Sequence, residues 1–379
     1  MIVREFLQWM EGAPSGQRAD AASALARSYL YTDVDEETRS AMEAALTVLL
    51  DDGAPEVRFA LADAFASSEK SPRHIIIALA GDHAEIAEIV LQRSPIFIDA
   101  ELVDIAAAAA EPLQVAVARR PIVSSAVAAA IAEVGDEAAC LALLANPGAS
   151  IARISFRRMA ERFGDAAEVR EAMLTRGGVP PEVQQLLVRS VSQALGNMAL
   201  VKSWVPEERT LAVTRDACDR ATVAIAAESE TRELPALVEH LRVTGQLTTA
   251  LLLRAVCAGN IAFFETALAT LARLPEYRIT SLVRAGRISG VRAVYAKAGL
   301  PAVAFDAFAA ALDTWQKLTA EGPLTDRYRA TTLMVDAVLA RYADITNGEM
   351  NELTAMLRRF AADQAREAAR EYARVAVAA

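Results

Sequence analysis

Cysteine is scarce in this 379-residue chain, and so are histidine, lysine and the aromatic residues. The three cysteines, Cys140, Cys218 and Cys257, stand far apart in apolar helical stretches. That spacing excludes a disulfide framework and reads as reduced core thiols of a cytoplasmic protein. The three histidines, His74, His83 and His240, show neither H-x-x-x-H nor H-E-x-x-H spacing, and no cysteine pair lies close to one. No metal site and no cofactor is therefore expected. There is no phosphate loop, no dinucleotide fingerprint and no nucleophile elbow, which removes the common nucleotide-dependent and serine-hydrolase chemistries. No uncharged apolar run approaches the roughly 20 residues of a membrane-spanning helix. The first residues, MIVREFLQWM, carry charge inside their apolar run and do not have a signal-peptide layout. Glycine and proline, 17 and 14 in number, sit between apolar periodic segments as punctuation.

What is present is a small-residue, helix-forming composition. Hydrophobic residues make up 54% of the chain and aromatics only 6%, which suits closely packed helices better than a β-sandwich. The stretch LLDDGAPEVRFALADAFA, residues 49–66, shows the organising pattern. Leu49 and Leu50 end one helix, and Asp51, Asp52 and Gly53 supply a turn. Pro55 opens the next helix, where its missing N–H is no loss. Val57, Ala60, Leu61, Ala64 and Phe65 then form an amphipathic stripe.

The pattern returns. Leu50 precedes Val57 by seven positions, as Leu79 precedes Ile86 and Leu144 precedes Ile151, across the turns DDGAPE, AGDHAE and ANPGAS. Ile105 to Pro112 is an imperfect copy. Arg93-Ser94-Pro95-Ile96 and Arg119-Arg120-Pro121-Ile122 recur 26 apart, each proline stopping a helix. Two-helix units of about 30–45 residues predict an all-α, HEAT/armadillo-like helical-repeat solenoid. Three segments are expected: repeats over 1–175, further helical repeats over 176–346, and a long charged helix over 347–379. In the second part, Gly245, Gly259, Gly286 and Gly299 each follow a helical stretch as left-handed caps. No segment of useful length alternates with the period of a strand.

Charge is uneven. Residues 1–112 carry 8 Arg or Lys against 20 Asp or Glu, a net −12, while the remaining residues net +2. An acidic first third argues against nucleic acid and fits a protein partner with a basic surface. Its candidate contact edge is Glu36, Glu37, Asp51, Asp52 and Glu56, with helix capping and solubility as the alternative. Asp82 reads as another capping acid, and Asp33 as the cap region of the helix ending at Leu50. Arg153, Arg157, Arg158 and Arg162 form the candidate anion patch, or a solvated face paired with Glu161 and Asp165. Arg58, Arg93 and Arg119 are expected to form a ladder between units, with a groove that binds an anion as the alternative. Trp204, beside Pro206, reads as a packed aromatic or an exposed binding one.

Asp51-Asp52-x-x-Pro55-x-Val57-Arg58, Leu79-Ala80-x-Asp82, Arg93-Ser94-Pro95 and Leu144-Ala145-Asn146-Pro147, together with Phe264–Pro301, resemble a bacterial helical-repeat family known as a domain of unknown function. The resemblance covers roughly residues 20–310. It implies an all-α HEAT-like fold and a cytoplasmic bacterial protein, and it transfers no catalytic residue. A protein-interaction scaffold is the function expected. The alternatives are an enzyme on such a scaffold, a DNA-base glycosylase or cofactor-attachment lyase, and a small-ligand sensor.

Overall fold

The computed structural model describes residues 2–197, 207–320, 322, 327–341 and 348–378. Among these, 22 helices and no strands form, and the protein is 79% helical. The chain divides into two compact units, residues 1–179 and 180–379.

Unit 1 holds twelve helices: α1 (Ile2–Gly12), α2 (Ser15–Tyr31), α3 (Glu36–Val48), α4 (Pro55–Phe65), α5 (Arg73–Ala80), α6 (Ala84–Arg93), α7 (Asp99–Ala108), α8 (Glu111–Ala118), α9 (Ser125–Val134), α10 (Glu137–Ala145), α11 (Arg153–Phe163) and α12 (Ala167–Arg176). The even-numbered helices pack in succession, α2 on α4, α4 on α6, and so on to α12. Helices α7, α9 and α11 pack in a second row, each also touching its even-numbered successor. This is the expected helical-repeat solenoid, one row of helices laid along another.

Local sequence explains the punctuation. Pro55 occupies the first turn of α4, as its fixed φ allows. The cap of α3 is Asp35, whose carboxylate accepts from the Thr38 N–H at 2.8 Å. Asp33 was the expected cap, but α3 begins only at Glu36, so the cap falls two residues later. The acidic turn residues also differ from expectation. Ala54 and His83, not Asp52 and Asp82, precede α4 and α6 as caps. The turn before α11 packs tightly on the one before α9: Val123 and Ala149 form an isolated parallel bridge. A Cβ on Gly148 would meet the Pro121 carbonyl oxygen at 1.9 Å, so only glycine fits there.

Unit 2 holds α13 (Pro181–Asn197), α14 (Glu207–Glu228), α15 (Leu234–Val243), α16 (Thr249–Cys257), α17 (Ile261–Ala272), α18 (Glu276–Arg284), α19 (Ile288–Lys297), α20 (Phe305–Ala320), α21 (Arg327–Arg341) and α22 (Gly348–Ala378). Gly245, Gly259, Gly286 and Gly299 have φ of 70°, 76°, 66° and 73°, the left-handed caps expected. Helix pairs do not simply continue. Helix α16 touches α14, α17, α20, α21 and α22, and Leu251 to Cys257 are all buried. A helix apolar on every side has to sit in the centre of a bundle. Around it Phe264 stacks on Phe308 at 5.3 Å, and Tyr295 meets Phe305 edge-on at 5.2 Å. Helix α22 packs on α21 and α16 and buries Leu357 and Phe360 within this unit. Trp204 lies outside the described residues.

Candidate functional site

Two hydrogen-bond ladders tie the even-numbered helices of unit 1 together. The first runs along the turns that enter those helices. Arg18 of α2 clasps both oxygens of Asp52, at 2.9 and 2.8 Å. Arg58 of α4 clasps both oxygens of Asp82 in the next such turn. At α8 a glutamine takes the role, Gln114 accepting from the Asp136 N–H at 3.0 Å. Each arginine holds its aspartate's carboxyl below the usual carboxylate range.

The second ladder runs along the opposite ends of the same helices. Arg120 donates to the Leu91 and Ser94 carbonyls at the end of α6. Asn146 donates to the Ala118 and Arg120 carbonyls at 2.8 and 2.7 Å. Arg176 donates to the carbonyls of Leu143, Leu144, Asn146 and Ala149. These donors satisfy carbonyls that a helix C-terminus leaves without partners, and the arginines also answer its negative dipole end. Burial pushes the Arg120 and Arg176 guanidinium groups below their ordinary value. Of the expected ladder residues, Arg58 is in place and Arg93 reaches back to Asp63 at 2.9 Å. Arg119 is exposed, and the ladder position belongs to its neighbour Arg120. Residue type conceals this from the sequence: Arg120, Asn146 and Arg176 share a place, not a chemistry.

The candidate acidic edge separates into two kinds of residue. Asp52 is a structural partner of Arg18 and also accepts from the Ala54 N–H at 2.9 Å. Glu36, Glu37, Asp51 and Glu56 are exposed and make no ion pair among the described residues. The arginines of α11 lie along one helix. Arg157 pairs with Glu161 at 2.8 Å, Arg158 donates to Glu133 at 2.9 Å, and Arg162 donates to the Ala132 carbonyl and lies over the Phe163 ring at 4.6 Å. Arg153 is exposed at the first position of the helix.

Sequence reasoning did not single out an open groove of about 640 Å³ between α10 and α12, lined by Leu144, Ala145, Pro147, Glu168, Glu171, Ala172, Thr175 and Arg176. Only folding brings the end of α10 beside the length of α12.

Unit 2 buries charge of its own. Arg254 of α16 is 1% exposed, donates to the Asp216 carboxylate and carbonyl, and lies over the Phe360 ring of α22. Arg220 of α14 bridges Asp216 and Asp363. Beside them burial pushes the Asp219 carboxyl up to about 6, against the pull of Arg254. On α17, burial also raises Glu265, which accepts from the Thr280 hydroxyl at 2.9 Å. Asp219 carries a pH prediction. Its folded value lies above the unfolded one, so ionising it costs stability as pH rises through 6, and nothing below about 4. Asp219→Asn should therefore stabilise the protein by up to about 3 kcal/mol at pH 7.5 and by about half that at pH 5, read from urea unfolding at both pH values. An equal gain at both would show that the titration of Asp219 is not involved.

A model of the family described as an uncharacterised protein conserved in bacteria, DUF2336, matches residues 86–348. The chain belongs to this family. The match begins within α6 and ends at the first residue of α22, so it includes the second ladder, the groove and the buried charges around Arg254 other than Asp363. The acidic edge, at residues 36–56, lies outside it. No curated protein and no solved structure matches the chain. Among the described residues no helix is long and apolar enough to cross a membrane, and no group of three or more His, Cys, Asp or Glu is placed to hold a metal ion.

Proposed function

We propose that this DUF2336 protein is a protein-interaction scaffold whose repeat array receives a partner with a basic surface. The observation that carries the reading is how unit 1 uses its polar groups. Asp52 and Asp82 hold the repeats together through Arg18 and Arg58, whereas Glu36, Glu37, Asp51 and Glu56 are exposed and make no ion pair among the described residues. Exposed like charges along one stretch of an array raise the encounter rate of an oppositely charged surface. The reading includes a reducing, cytoplasmic setting, in keeping with Cys140 and Cys257, both free and buried, with thiols pushed up to about 11 and about 12 by burial.

The test is a charge reversal. Partners captured from the native host by the parent are purified, and their association is followed at rising salt. Glu36→Lys, Glu37→Lys and Glu56→Lys together should slow association and flatten its salt dependence, with the melting curve little changed. Rates and salt slope equal to the parent's would reduce these acids to solubility charge.

A further inference from the structure

The groove between α10 and α12 differs from its counterparts in the repeats before it. Arg120, Asn146 and Arg176 mark the same place at the ends of α8, α10 and α12, because each donates to carbonyls at the end of the even helix before it. Counting back eight and five residues from each mark compares the same surface three times. On α8 the residues are Pro112 and Val115, on α10 Ala138 and Leu141, and on α12 Glu168 and Glu171. Two carboxylates, one turn apart and exposed, replace two uncharged side chains. Neither makes an ion pair among the described residues, although Glu168 stands in the first turn of α12, where the helix dipole favours an acid. The cation in the lining, Arg176, is engaged by four carbonyl oxygens at the end of α10 and in the turn after it, so its charge answers the helix end, and Arg170 donates to the Gly164 and Asp165 carbonyls. The opposite wall is apolar, built from Leu144, Ala145 and Pro147.

An apolar wall facing two carboxylates matches a side chain that is aliphatic along its stem and cationic at its tip. We propose that this groove docks a basic segment of a partner protein, one Lys or Arg side chain lying with its methylenes over Pro147 and Ala172 and its charge between Glu168 and Glu171. The proposal rests on the scaffold reading for its biology, but it concerns a different surface, inside the family match and away from residues 36–56. Arginine suits the place better than lysine, because its planar fork can donate to both carboxylates at once.

The test uses a fluorescein-labelled decapeptide of alternating leucine and arginine, and its leucine–glutamate counterpart, titrated into the full chain. The arginine peptide should bind the parent, and Glu168→Gln with Glu171→Gln should weaken it at least tenfold without moving the melting temperature. A photo-crosslinking version should label residues 144–147 and 168–175. The leucine–glutamate peptide should not bind. The variant with lysines at 36, 37 and 56 should retain crosslinking in the groove. If the glutamine variant binds as the parent does, or the label falls elsewhere, or the arginine peptide does not bind at all, the groove assignment is overturned. Loss of binding in the 36/37/56 variant alone would likewise overturn it while leaving the scaffold reading standing. Groove crosslinking that persists when native-partner association ignores the 36/37/56 reversal would uphold the groove and overturn the acidic edge.

Discussion

Aspartate in place of Leu61 abolishes cooperative folding of the first repeats. Leu61 is fully buried in α4, on one stripe with Val57 and Phe65, and α4 packs against both α2 and α6. Arg58, one turn earlier on the same helix, is already clasped to Asp82 and held at the Asp52 carbonyl, so no cation is at hand for a new carboxylate. Losing the leucine's packing costs about 2–5 kcal/mol. Burying a charge without a partner adds more than about 3 kcal/mol unless the group takes up a proton. Together these match the roughly 5–15 kcal/mol that holds an ordinary domain folded. Circular dichroism of the full chain during heating should show Leu61→Asp losing part of its helical signal at low temperature, with the remainder melting as in the parent. Leu61→Met, which keeps the volume, should stay within about 1.5 kcal/mol. A Leu61→Asp protein with the parent's melting curve would mean that the stripe Val57–Leu61–Phe65 does not face the core.

That stripe was legible because it rests on periodicity, a property of one segment. So were the helix start at Pro55 and the left-handed glycines after α15, α16, α18 and α19, since a proline or glycine declares its backbone requirement wherever it stands. The repeat was visible as Arg93-Ser94-Pro95 and Arg119-Arg120-Pro121, 26 residues apart. What the motif does was not visible. Before Pro121 and Pro147, Arg120 and Asn146 reach into the repeat before, and Arg176 does the same with no proline after it. A pattern of identities misses a place filled by different chemistries. The same limit applies to Asp52 and Asp82. As isolated turn acids they read as caps, and their partners Arg18 and Arg58 lie 34 and 24 residues away. Unit 2 departs from stacked pairs for a reason that TALLLRAVC does carry, an apolar run with one arginine, although only the folded bundle shows that Arg254 is buried against Asp216. Of the candidate sites, the α11 arginines followed helix spacing closely, Arg157 meeting Glu161 four residues on. The groove had no local signature, because its two walls are contributed by separate helices.

The second ladder should prove its worth at Arg120, which is 8% exposed. Among the described residues no carboxylate lies within hydrogen-bond reach of its guanidinium. It donates to the Leu91 and Ser94 carbonyls, and its Nε has no acceptor among the described residues. Two opposing effects decide the sign of Arg120→Met. Removing a buried charge relieves a desolvation cost that a well-packed apolar side chain does not have. Against it stand two charge-assisted hydrogen bonds, each worth about 1.5–3 kcal/mol, and two carbonyls left buried without donors. Methionine preserves the length and most of the volume of the stem, so little cavity cost enters. The hydrogen bonds should win, and Arg120→Met should lose about 2–4 kcal/mol in urea unfolding of the full chain. Asn146→Leu, which removes the next rung, should lose less, because its amide is neutral. The double variant decides whether the rungs act together. The two side chains meet across the Arg120 carbonyl, which remains when the arginine side chain is gone, so independent rungs would add to within about 0.5 kcal/mol. A ladder that transmits order from repeat to repeat should instead lose less in the double variant than the sum of the single losses, since the first break already loosens the second contact. An Arg120→Met protein as stable as the parent would show that the buried charge cancels its own hydrogen bonds, and that the repeats are held by apolar packing alone.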